Sequence, residues 1–237
     1  MIPIFSTNNS LGSILSLEPS GKSNKESAPS LFDCARDLGL KDIFVCDNNP
    51  ASFKILFEKC KSVNLSLRFG LNLKVFSDDK NIEQSWAKYR IFATNGLVIK
   101  EKLFPLFSLS QEKYEGYTPI ELLKEMSDGL IILSAFYDGF IMNNSMSRDI
   151  NHIPTLDSYY MEVQDGDLPF DSELQNEVEN FARKNKKQIL KTKSIFYRQK
   201  EECKAFITYK AIKNRTNFSA PNLQYFGSDN FCVEDIK

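Results

Sequence analysis

The chain is predicted to be an α/β protein built on a mainly parallel sheet, with a barrel among the arrangements that pattern allows. Three observations predict this. Strand-like and helix-like segments alternate six or seven times without a clear internal repeat. The stretch KDIFVCDNNP, Lys41–Pro50, places the apolar run Ile43-Phe44-Val45-Cys46 directly before Asp47, Asn48 and Asn49. A run that apolar suits a strand covered on both faces, as in a parallel sheet. No linker cuts the 237 residues, so residues 1–237 are expected to form a single domain, with 214–237 as a C-terminal tail.

The elements follow in order. Ile2–Phe5 is a short strand and Ser6–Asn9 a polar turn; Gly21–Ser27 is a loop without a phosphate-binding pattern. Pro29–Leu38 is helical, with Leu31, Cys34, Ala35 and Leu38 on one face and Gly39 placed to end it. After the central strand, Asn49 is an N-cap and Pro50 fits the first helical position. Pro50–Lys61 is predicted to bury Phe53, Leu56, Phe57 and Cys60. Leu65–Val75 alternates as a strand interrupted at Gly70, and Asp78–Gln84 is a polar excursion. Tyr89–Thr94 is a strand, and Asn95–Phe107 a helix bent at Pro105.

Thr118-Pro119-Ile120-Glu121 has the pattern of a capping box. Gly129–Ser134 is a buried strand, Asn143–Asp157 an irregular surface loop, and Tyr159–Val163 a strand. Ser172–Lys184 is an amphipathic helix with Leu174, Val178, Phe181 and Ala182 inward. Gln188–Ser194 is a strand, and Arg198–Lys213 a charged helix with a stripe of Cys203, Phe206, Ile207 and Ala211.

Composition narrows the chemistry. The chain is 42% hydrophobic and 26% charged, with a net charge of -1, so no whole-molecule field draws nucleic acid. No apolar run reaches the ~20 residues of a membrane helix, and MIPIFSTNNS lacks the basic start of a signal peptide. A cytoplasmic location is expected. The five cysteines are scattered and odd in number, which suits buried thiols in a reducing compartment. His152 is the only histidine, so a His-rich metal site is excluded and acid–base work would fall to carboxylates or lysine. A lone histidine in a loop is read as a surface residue, and Cys46, inside an apolar strand, as inert packing.

Four blocks carry a resemblance: FSTNNSLGSIL at Phe5–Leu15, LFDCARDLGLKDIFVCDNN at Leu31–Asn49, LRFGLNLKV at Leu67–Val75, and YYMEVQDGDLP followed by KTKSIFYRQKEECKAFITYKAIKNRT. In order and spacing they resemble the PHP (polymerase and histidinol phosphatase) domain of bacterial DNA polymerase III alpha subunits. NLQYFGSDNFCVEDI, Asn222–Ile236, resembles the family's exit from that domain, with no polymerase palm after it. The resemblance implies a distorted (β/α)7 barrel and a strand-end site for up to three metal ions.

At that site Ser6 and Asn8 stand for two histidines, Asn48 for a third, Asn72 for a glutamate and Gly166 for another histidine. Ser194 and Phe196 occupy a final Asp-x-His pair, and Asp47 alone keeps a carboxylate. Neutral amides and hydroxyls do not neutralise a divalent cation or acidify its water. The resemblance therefore implies a degenerate, non-catalytic PHP-like domain with no cofactor. Ser6, Asn8, Asn48 and Asn72 are expected to fill the former metal site with hydrogen bonds.

Such a domain would serve as a protein-binding or structural scaffold, phage-encoded and tied to DNA replication or virion assembly, where it could be virion-associated. The alternative is a divergent metal-dependent phosphoesterase or nuclease using Asp47, Glu162 and Asp165, with Asp167 close by. The cluster Lys184, Lys186, Lys187, Lys191 and Lys193 has two readings, a solvated helix end or a contact for nucleic acid.

Overall fold

The computed structural model describes residues 1–18, 28–77, 81–146, 152, 154–215, 228–234 and 236. The predicted loop Gly21–Ser27, residues 78–80 of the polar excursion, most of 147–153 and residues 216–227 of the tail lie outside the described residues. Eight strands are described: β1 (Ile2–Phe5), β2 (Asp42–Asp47), β3 (Ser66–Phe76), β4 (Trp86–Ala93), β5 (Tyr117–Pro119), β6 (Leu130–Ser134), β7 (Tyr160–Gln164) and β8 (Gln188–Ile195). Their hydrogen-bonded order is β2-β1-β8-β7-β6-β4-β3-β5, with β2 also paired to β3. Seven strands thereby close as the expected α/β barrel does, and β5 is added beside β3.

The chain packs as two compact units, Met1–Leu67, Asp165–Asp171 and Thr192–Lys237 in one, Arg68–Gln164 and Ser172–Lys191 in the other. In the first unit β1 is parallel to both β2 and β8, with Phe5 opposite Val45 and Ile195. These strands read as apolar runs because both faces are covered; Phe5, Ile43 and Val45 have no exposed surface. The Leu31–Asp37 helix starts at Ser30, whose hydroxyl accepts the Phe32 N–H at 3.2 Å, and Gly39 ends it at φ +61°. The residues after the last helix also pack: Phe231, Cys232 and Val233 are buried, and Phe231 accepts the Phe196 N–H at 2.9 Å.

In the second unit β6 and β7 are parallel, as are β3 and β5, but β4 runs antiparallel to both β3 and β6. β3 runs unbroken through Gly70, contrary to the predicted interruption. Glycine is required there by close approach: a Cβ would lie 2.6 Å from Phe92 Cδ1 and 2.7 Å from the Ile91 carbonyl.

Other local expectations also give way to tertiary packing. Thr118 makes no capping box; it lies in β5, buried, sharing a 2.8 Å hydrogen bond with Ser110, and the next helix, Ile120–Glu125, starts at Pro119 without a side-chain cap. Phe57 is 54% exposed, so the Phe53–Ser62 helix buries only Leu56 and Cys60. The predicted bend at Pro105 is a wide π turn, Ile99–Leu103, before the Phe104–Tyr114 helix. Proline has no N–H to return to the preceding turn, and the wider turn absorbs that loss.

Candidate functional site

The strand-end loop of β2 is built around Asp47, which is fully buried. The parallel register Phe5↔Val45 carries Thr7 level with Asp47 two residues later. The Thr7 N–H donates to Asp47 Oδ1 at 2.8 Å and the Thr7 hydroxyl to Oδ2 at 2.8 Å. Ser10 Oγ donates to Oδ1 at 2.7 Å, and Ser52 Oγ donates to Oδ2. Asn49 accepts the Ala51 N–H at 3.0 Å as the N-cap, which sets Ser52 at the start of the following helix. One buried charge is thus met by four donors, each a charge-assisted bond.

The residues expected to fill this site do so only in part. Ser6 Oγ bonds the Cys46 carbonyl at 2.8 Å, and the Asn8 carbonyl accepts the Tyr209 hydroxyl at 3.1 Å. Asn8 Oδ1 is buried without a hydrogen-bond partner. Asn48 is exposed. Ser194 is buried in β8 opposite Ile4, Gly166 is half-buried, and Phe196 stacks on Phe206 with centroids 5.0 Å apart. Asn72, in the second unit, is half-buried in β3 opposite Arg90 of β4. The hydroxyls of Thr7, Ser10 and Ser52, which sequence reasoning passed over, hold the carboxylate instead. Their signal was their place in FSTNNS and NNPAS, beside the two strand ends.

Of the other candidate acids, Glu162 is buried in the second unit. It accepts the Phe136 N–H at 3.0 Å and pairs with Arg90 at 3.1 Å. Asp165 and Asp167 lie in the first unit, where Asp167 Oδ1 accepts the Ser228 hydroxyl. Among the described residues no group of three or more His, Cys, Asp or Glu is placed to hold a metal ion. The donor set around Asp47 consists of hydroxyls and a backbone amide already turned inward, which supply no further charge to a metal ion.

His152 corrects the expectation of a surface residue, since it is 1% exposed. Nδ1 lies 2.8 Å from the Ser85 carbonyl, so it carries the proton. Nε2 therefore accepts from the Tyr89 hydroxyl at 3.0 Å. Asn144 holds the His152 backbone from both sides, at 3.0 and 3.1 Å. Burial lowers the imidazole pKa, and burial pushes the Tyr89 hydroxyl up. Sequence alone showed an irregular loop because these partners are far away in the chain.

The lysines of the basic cluster differ in exposure. Lys184, Lys186 and Lys191 are exposed. Lys187 lies 4.3 Å over the Tyr159 ring and donates to the Asp157 carbonyl at 2.9 Å. Lys193 is 4% exposed and donates to Asn230 at 2.8 Å. No described helix is long and apolar enough to cross a membrane. None of the five cysteines is in a disulfide, and four are buried.

No family model matches the chain, and no curated protein matches it. Among solved structures, a candidate metal-dependent phosphoesterase from Bifidobacterium adolescentis is similar to it at a TM-score of 0.45 and 13% identity. The likeness covers 81% of this chain and 86% of that one.

Proposed function

We propose that this protein is a non-catalytic α/β barrel domain of PHP type, acting as a protein-binding or structural scaffold. The observation that carries the reading is the Asp47 carboxylate. Both its oxygens are engaged by Thr7, Ser10 and Ser52 at full burial. A catalytic cation would have to displace donors that hold the β1 and β2 strand ends together, and hydroxyls and an amide supply no charge to replace them. The resemblance in sequence supports a protein partner from a replication assembly; a virion component and a phage source are further parts of the proposal.

The test is calorimetric titration of the full chain with MnCl2, alongside hydrolysis of bis(p-nitrophenyl) phosphate. The expected result is no stoichiometric Mn²⁺ binding, no metal-dependent hydrolysis, and no difference between wild type and Asp47→Asn in either. Tight Mn²⁺ binding that Asp47→Asn abolishes, with metal-dependent hydrolysis, would overturn the proposal and establish a metal-dependent phosphoesterase that uses Asp47.

A further inference from the structure

The Phe53–Ser62 helix is fastened to the first unit near both ends and turns an aromatic ring outward between them. Ser52, at its start, donates its hydroxyl to Asp47 Oδ2. Lys59, in its last turn, donates to the Leu17 carbonyl at 2.7 Å and to Glu18 at 2.5 Å. Leu56 and Cys60 are buried beneath it. Phe57 faces away, 54% exposed, with the Phe53 ring beside it at a centroid distance of 6.0 Å. Ile55 and Val63 are exposed as well. Three exposed large apolar side chains thus fall within residues 55–63, where single scattered ones are the norm.

The charges around the ring select the partner. Lys54 is one turn before Phe57 and Lys61 one turn after it, so two exposed lysines flank the ring. Among the described residues neither forms an ion pair, although Glu58 lies one turn from each. A uniformly negative surface, such as a lipid headgroup layer or a nucleic-acid backbone, would meet both lysines but also the exposed Glu58 carboxylate. A peptide can place carboxylates at two points and leave the third neutral. Lys54 and Lys61 are separated by about 10.5 Å along the axis, a spacing that two turns of a second helix reproduce. We infer that this face docks an acidic amphipathic helix of a partner protein. An apolar anchor packs on Phe57 and Phe53, and a carboxylate on either side of it meets Lys54 and Lys61. The inference rests on the scaffold reading above and names the surface through which the scaffold acts. Because Asp47 and Glu18 already hold the helix, docking orders little on this side.

The experiment is a fluorescence-anisotropy titration of the full chain against two labelled synthetic peptides that share leucines at helical spacing. One carries glutamate at its other positions and the second carries lysine there. The expected result is saturable binding of the glutamate peptide, roughly tenfold or more tighter than that of the lysine peptide and weakening as salt is added. Phe57→Ser weakens it roughly tenfold, as does the pair Lys54→Glu with Lys61→Glu, while circular dichroism stays unchanged. The inference is overturned if neither peptide binds, if both bind alike, or if either variant binds as wild type does. It is equally overturned if light scattering shows a wild-type dimer that Phe57→Ser dissociates, because a second copy is then the occupant. Uptake of wild type but not Phe57→Ser by phosphatidylglycerol vesicles, without peptide binding, overturns it in favour of a membrane. The metal titration separates the two readings: Mn²⁺ binding through Asp47 removes the scaffold reading, whereas failure of the glutamate peptide alone strikes this surface only.

Discussion

Acidification should weaken this fold through one residue, His152. The neutral ring donates from Nδ1 to the Ser85 carbonyl and accepts at Nε2 from Tyr89, all within a buried pocket that also includes Phe140. A proton on Nε2 would confront the Tyr89 hydroxyl with a second donor, and burial penalises the charge further. The folded pKa is therefore depressed below the unfolded value, about 6.5 for a histidine. Above that value neither state binds the proton, and the contribution to stability is complete. As pH falls below it the unfolded chain takes up the proton first. Stability then drops, at up to about 1.4 kcal/mol per pH unit, until the folded state titrates too.

His152→Gln removes the titration and should remove that slope. His152→Ala additionally takes the acceptor from the Tyr89 hydroxyl and removes the bond to the Ser85 carbonyl, for a loss of at least ~1–3 kcal/mol at neutral pH. The assay is urea unfolding of wild type and both variants from pH 5.0 to 7.5. A wild-type minus His152→Gln stability difference that stays flat across that range would refute the reasoning, as would wild-type stability for His152→Ala.

Other substitutions probe the second unit and the thiols. Arg90→Met or Glu162→Met alone breaks the buried pair and should cost about 3–5 kcal/mol, while the double replacement by methionines should recover much of it; a denaturation double-mutant cycle measures the coupling. Gly70→Ala should cost about 1–3 kcal/mol by forcing a methyl against Phe92 and the Ile91 carbonyl, read as a lowered Tm. Burial pushes the Cys34 thiol up to about 12 and the Cys60 thiol up to about 11. Neither should react with a disulfide reagent at pH 8 until denaturant is added, and mass spectrometry of the labelled peptides would show this.

The sequence by itself determined the features that depend on near neighbours. The apolar run before Asp47, the Asn49 cap followed by Pro50, the glycine after the first helix and the amphipathic 171–184 helix all follow from residues within a few positions of one another. The α/β class follows from their alternation. Tertiary structure decided everything that needed a partner distant in the chain. Thr118 left its capping pattern because strand pairing with β3 and the Ser110 hydroxyl offered it better partners. Gly70 stayed within its strand because β4 passes too close for a side chain. His152 went inward because Ser85 and Tyr89, more than sixty residues away, satisfy both its nitrogens. Around Asp47 the chain recruited hydroxyls one, two and four residues from the expected positions. Which side chain turns toward a carboxylate depends on the register between two parallel strands, and that register is set by packing rather than by local pattern.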